Sequence, residues 1–203
     1  GERGAANEEA TAEDIALMSK LVEEGLRSGA VGFPTTRTVL HRAKDGELAA
    51  GTTATVEELL GLGDALGAAG AGVFGVASDM IDPAAEFEWM AELSRRSGRP
   101  VTFGCLQDDL RPEHLRTYLE LAAAANSDGA RIVPQVAGRP ACLLFGWESS
   151  VHPFITHRAY RAIADLPLVE RVAALRTPAV RRAILDEEVQ RSGFGAFLLS
   201  SFQ

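Results

Sequence analysis

Three basic side chains and a histidine, Arg37, Arg42, Lys44 and His41, crowd into one short polar stretch of a chain whose formal net charge is −8. A cluster of that sign suits an anionic group such as a carboxylate, which arginine can grip through two parallel hydrogen bonds. The plain alternative is a solvated basic surface loop. Other polar residues stand just after short apolar runs: Thr35 and Thr36, Ser78 and Asp79, Gln107 with Asp108 and Asp109, and Gln135. If those runs are parallel strands, their carboxyl ends share one edge and these side chains converge on one pocket. Asp82 and Asp109 read more simply as helix-cap or turn residues.

Metal and nucleophile chemistry are less well supplied. Cys105 could ligate a metal as a thiolate, although a lone cysteine on an apolar strand is more often inert core. His152 and His157, in HPFITH, are spaced like some paired zinc ligands, but no second pair accompanies them. A loop contact or helix cap is the alternative for both. His114 falls early in a helix and reads as surface. There is no GxSxG, and no cysteine has a nearby partner histidine. The glycine-rich GAAGAG precedes a strand, the wrong order for a dinucleotide loop. Trp89 and Trp147 read as core or interface anchors.

The totals bound the class. Of the 203 residues, 46% are hydrophobic and 24% charged, the balance of a folded globular protein. A pI near 5.1 argues against nucleic acid or an anionic membrane as partner. Cys105 and Cys142 are far apart with no CxxC spacing, which points to free thiols and a reducing cytoplasm. No apolar run approaches the length of a membrane span, and no signal-peptide pattern is present. Both ends read as cut from a longer chain.

The elements that must position these residues alternate. Thr11 with Asp14 opens a helix whose apolar positions run from Ile15 to Leu26, and Gly29 stops it. A strand over Ala30–Thr35 leads into the basic loop. Thr55 and Glu58 form a capping-box pair before a helix closed by Gly70 and weakened by Gly61, Gly63 and Gly67. Strands follow at Gly72–Ala77, Pro100–Leu106 and Arg131–Val136. Between them lie helices opened by Asp82-Pro83 and centred on Leu115–Ala122. Beyond Gly138 the rhythm breaks. Leu143–Trp147 reads as a short helix, Ser149–His157 as irregular, and Ala159–Ile163, Leu168–Leu175 and Pro178–Val189 as helices. The expected fold is α/β with about four parallel strands and flanking helices over 1–138. A mostly helical extension of the same domain covers 139–203.

The string GAVGFPTTRTVLHRAKDGELAAGT resembles a segment of the amidohydrolase family that contains D-aminoacylases and N-acyl-D-amino-acid deacylases. The likeness continues through VFGVASDM, RPVTFGCLQ, RIVPQVAGRP and SSVHPFITHRAY. It implies the central part of a TIM-type (β/α)8 barrel, about its fourth to seventh strands, and a chain that is a fragment of a longer parent. It implies hydrolysis of a non-peptide amide bond by metal-activated water, with zinc as the parent's cofactor. Arg37, His41, Arg42, Lys44, Asp79, Gln107 and Gln135 would line or hold the substrate, a small amide or carboxylate. The family pattern places histidines where this chain has Ala77 and Cys105, so the alternative is a metal-free relative that binds a small carboxylate without turnover. A third reading is another α/β barrel or open doubly wound sheet that uses its cationic loop for phosphate. Half a barrel also leaves strand edges through which copies could associate.

Overall fold

The computed structural model describes residues 1–43, 45–107, 111–139, 144–149 and 152–188. Side-chain alternation along four strands decides which face of their sheet is covered. The strands are β1 (Gly32–Arg37), β2 (Val73–Ser78), β3 (Val101–Gly104) and β4 (Ile132–Gln135). They pair in parallel in the order β1-β2-β3-β4. Phe33, Phe74, Val101 and Ile132 form one row across the sheet, and Thr35, Val76, Phe103 and Pro134 the next. Of these, Phe74, Val76, Val101, Phe103 and Ile132 are buried. The alternate residues Val73, Gly104, Val133 and Gln135 are exposed, so one face is covered and the other open.

Helices make the cover. After the short α1 (Glu2–Ala5) come α2 (Ala12–Arg27), α3 (Val56–Ala69), α4 (Pro83–Ser97) and α5 (Glu113–Ser127). Each of the last three packs on its predecessor. The glycines that weaken α3 as an isolated helix explain themselves here. A Cβ at Gly61 would meet Ile15 of α2, one at Gly63 would meet Leu93 of α4, and one at Gly67 would lie 3.0 Å from the Ser97 backbone. Propensity is given up for close helix approach, and burial outweighs a loss of about 1 kcal/mol per glycine. Leu59, Leu66, Met90 and Leu93 fill the layer between helices and sheet. Phe74 meets Trp89 edge-on at 6.2 Å, and Phe87 meets Phe103 at 5.1 Å.

The expected strands are all present, with shifted limits. β1 runs two residues later than the glycine-bounded apolar run suggests. Pro34 is tolerated because β1 lies at the sheet edge. β3 ends at Gly104, so Cys105 and Leu106 lie beyond it. β1 and β4 each have one edge without a partner strand among the described residues.

The chain divides into two compact units, Gly1–Pro140 and Ala141–Gln203. In the second, the short apolar run expected as a helix is not helical at 144–147. Its first residue lies outside the described set, as does Cys142. Helices α6 (Arg158–Arg161), α7 (Leu168–Arg176) and α8 (Pro178–Leu185) follow. No helix among the described residues is long and apolar enough to cross a membrane.

Candidate functional site

The carboxyl ends of the four strands carry a second row on the open face. Thr36 pairs with Ala77, and Gly104 with Gln135. All four line a cleft of about 790 Å³ in the first unit. Four consecutive residues of β1, Phe33 to Thr36, contribute to its wall, as do His41 from the following loop and Glu58 from the first turn of α3. The rest of the lining is mainly small or apolar, a setting in which a few polar groups fix a ligand's orientation.

Thr36 and His41 are joined. Thr36 Oγ1 lies 2.7 Å from His41 Nδ1, and the ring's tautomer decides which of them donates. When the hydroxyl donates to Nδ1, the neutral ring keeps its proton on Nε2 and offers it as a donor. The loop that carries His41 is braced by its own backbone. Ala49 N donates to His41 O (3.0 Å), Ala43 N donates to Glu47 O (2.8 Å), and Arg42 and Leu48 form an antiparallel bridge. Asn7 Nδ2 donates to Leu48 O at 3.0 Å, tying the loop to the start of the chain.

The other expected site residues are distributed differently. Arg37 belongs to β1, not to the loop, and successive strand residues face opposite ways. Thr36 lines the cleft, while Arg37 engages the helical layer. Its Nη2 pairs with Glu86 Oε1 at 2.9 Å, its Nη1 donates to Ala54 O at 2.7 Å, and its guanidinium lies 5.8 Å from the centre of the Trp89 ring. With side chains only 22% and 12% exposed, Arg37 and Glu86 are a mostly buried internal pair. Arg37, expected to hold a substrate carboxylate, is placed here in an ion pair within the fold. Arg42 Nη1 donates to Gly46 O at 2.8 Å within its own loop, and Lys44 lies outside the described residues. Asp79 is a loop tie. Its carboxylate accepts from the Thr38 hydroxyl and, at 2.9 Å, from Val39 N, which holds the segment after β1 to the end of β2. Gln107 is exposed and outside the cleft lining, Gln135 is within it, and Asp108 and Asp109 lie outside the described residues.

The zinc reading meets a poor donor set. Ala77, in the row at the strand ends, has no ligating atom. Cys105 is fully buried in the core, and burial pushes its thiol above the usual range, against the thiolate a metal needs. Among the described residues no group of three His, Cys, Asp or Glu is placed to hold a metal. The described residues therefore do not offer a set of ligands that fits zinc.

His152 and His157 belong to an aromatic cluster in the second unit. The His152 ring stands edge-on to Tyr160 at 4.5 Å and to Trp147 at 5.3 Å, and its Nδ1 accepts from Phe154 N at 3.2 Å. Burial, with Arg171 and His157 adding to it, holds His152 below its ordinary pKa and so favours the neutral ring. His157 precedes α6 without a side-chain cap. The Glu187 carboxylate does the capping, accepting from Arg158 N (2.7 Å) and Ala159 N (3.0 Å), and those bonds hold it below the ordinary range. His114 Nδ1 lies 3.2 Å from the Tyr118 hydroxyl and is partly buried, a packing role the sequence did not suggest.

Glu58 is what residue-by-residue reading missed as a site group. The Thr55–Glu58 pattern predicts a capping box, yet only half of it forms: Thr55 Oγ1 accepts from Glu58 N at 3.3 Å, and no return bond is made. Glu58 lines the cleft instead. Burial, then repulsion from Asp14, raises its pKa. Comparison with family models, with curated proteins and with solved structures gives no match for this chain.

Proposed function

We propose that this chain contributes part of an amidohydrolase-like α/β barrel whose cleft takes a small amide, such as an N-acyl-amino acid, and hydrolyses its C–N bond. The observation that carries the proposal is that the bonded pair Thr36–His41 and Gln135 line one cleft, at the carboxyl ends of the outer strands β1 and β4 of the parallel sheet. Ligands of parallel α/β sheets gather at that edge. The motif resemblance across Gly29–Thr55 adds the reaction class.

In this reading Gln135 meets the ligand's amide with a donor and an acceptor of its own. With its Nδ1–H donated to Thr36 Oγ1, the neutral His41 ring takes a proton at Nε2 from the adding water and passes it to the leaving nitrogen as the C–N bond breaks. Zinc held within a longer parent would activate that water; the described residues do not form a site for it, and no step here depends on it. The test is His41→Ala in the full-length protein, assayed with N-acetyl-amino acids. A fall in kcat of about a hundredfold is expected, the lower end of the range for general acid–base catalysis. Unchanged turnover would remove His41 from the reaction.

Ala77 and the buried Cys105 favour a second reading, a metal-free protein that binds a small carboxylate without turnover. Elemental analysis of the full-length protein separates the two. Stoichiometric zinc with amide turnover supports the hydrolase; metal-free protein that binds but does not turn over supports the binder. A reducing cytoplasm goes with either reading, as does association of copies through the open edges of β1 and β4.

A further inference from the structure

The charge of the cleft differs from that of the loop beside it. Among its described lining residues there is no lysine or arginine, and Glu58 is the only carboxylate. Its backbone N–H is taken by Thr55, but among the described residues its carboxylate has no hydrogen-bond donor and no ion-pair partner. Asp14 is the neighbouring acid that repels it, and Asp14 is itself bound to Thr11 and Arg3. A part-buried carboxylate with unfilled acceptors beside an apolar wall favours a ligand that brings both a positive charge and donors.

We propose that Glu58 is a specificity residue of this cleft and that the bound amide carries an ammonium-bearing arm, as an N-acyl-lysine does. The inference rests on the cleft being the ligand site of the proposed function. Arg37, which would have favoured an acidic arm, is turned into the helical layer. The ammonium donates up to three hydrogen bonds, and the methylene stem has Met18, Phe33 and Leu62 to lie against.

The experiment is calorimetric titration of the full-length protein with Nα-acetyl-lysine and with Nα-acetyl-norleucine, which replaces the ammonium by a methyl group. The lysine compound is expected to bind about tenfold tighter. Glu58→Gln is expected to abolish that preference and leave norleucine binding within about twofold. Because the carboxylate makes no bond among the described residues, the substitution should not disturb folding, and circular dichroism checks this. Equal affinity in the native protein, binding of neither probe, or a preference that survives Glu58→Gln would each overturn the proposal. Turnover is read separately. Cation preference without hydrolysis would leave Glu58's role standing and sink the hydrolase, and hydrolysis without cation preference would do the reverse.

Discussion

Helices α2 and α3 begin alike, with a threonine at the N-cap and an acidic residue three positions on, yet the two carboxylates end in opposite states. Asp14 completes its capping box. It accepts from Thr11 N at 2.9 Å and from the Thr11 hydroxyl at 2.8 Å, while Arg3 Nη1 donates at 2.8 Å. Those bonds, the backbone one first, lower its pKa to about 2. Glu58 makes none of them, and its pKa rises with burial. The side chain is one methylene longer and sits where α3 meets the cleft wall. A capping pattern thus specifies a helix start, but whether its acid serves the helix or a ligand depends on what packs nearby.

The largest effect that sharpens this comparison comes from a third acid near a helix start, Glu86 in the first turn of α4. It has a partner in Arg37, so Arg37→Ala should leave a mostly buried carboxylate unpaired and cost about 3 kcal/mol in urea unfolding. A loss confined to ligand affinity, with stability unchanged, would put Arg37 back in the site. Next comes Asp14→Asn. A group whose folded pKa is depressed stabilises above its unfolded value, and that benefit disappears as pH falls through the folded one. Asp14→Asn should therefore lower the melting temperature at pH 7, with the difference closing between about pH 4 and pH 2. It should also move Glu58 back toward its ordinary pKa, readable by NMR titration. A pH-independent loss would mean the capping bonds are not what depresses Asp14. The smallest effect is that of Glu58→Gln on stability. A raised folded pKa works the other way: ionising Glu58 weakens the fold as pH rises above its unfolded value. The substitution should raise the melting temperature at pH 7 by about 1–2 °C and do nothing near pH 4. A fall at neutral pH would mean that Glu58 serves the fold after all.

Much of the architecture was legible because it follows from local chemistry. Strand runs bounded by glycine and proline, the caps at Thr11, Thr55 and Asp82, and the helix stops at Gly70 and Gly98 all depend on residues a few positions apart. The site was legible in part. His41 and Gln135 stood out by type and reach the cleft, whereas Arg37 stood out equally and does not. A shift of two residues in the limits of β1 moved Arg37 from loop to strand, and pleating then aimed it at Glu86, 49 positions away.

By itself, then, the sequence determined the alternation of helices and strands, their parallel order, the acidic balance and the set of polar residues at the strand ends. The alternation, the balance and the residue set are matters of periodicity, propensity and count; the parallel order is what short helical crossovers between successive strands impose. Tertiary structure alone decided which of those polar groups meet. The Thr36–His41 bond, the Arg37–Glu86 pair, the burial of Cys105 and the unfilled Glu58 carboxylate all arise where distant segments pack. A side chain's charge is written in its residue type, but its partner is chosen by whatever the fold brings within about 3 Å.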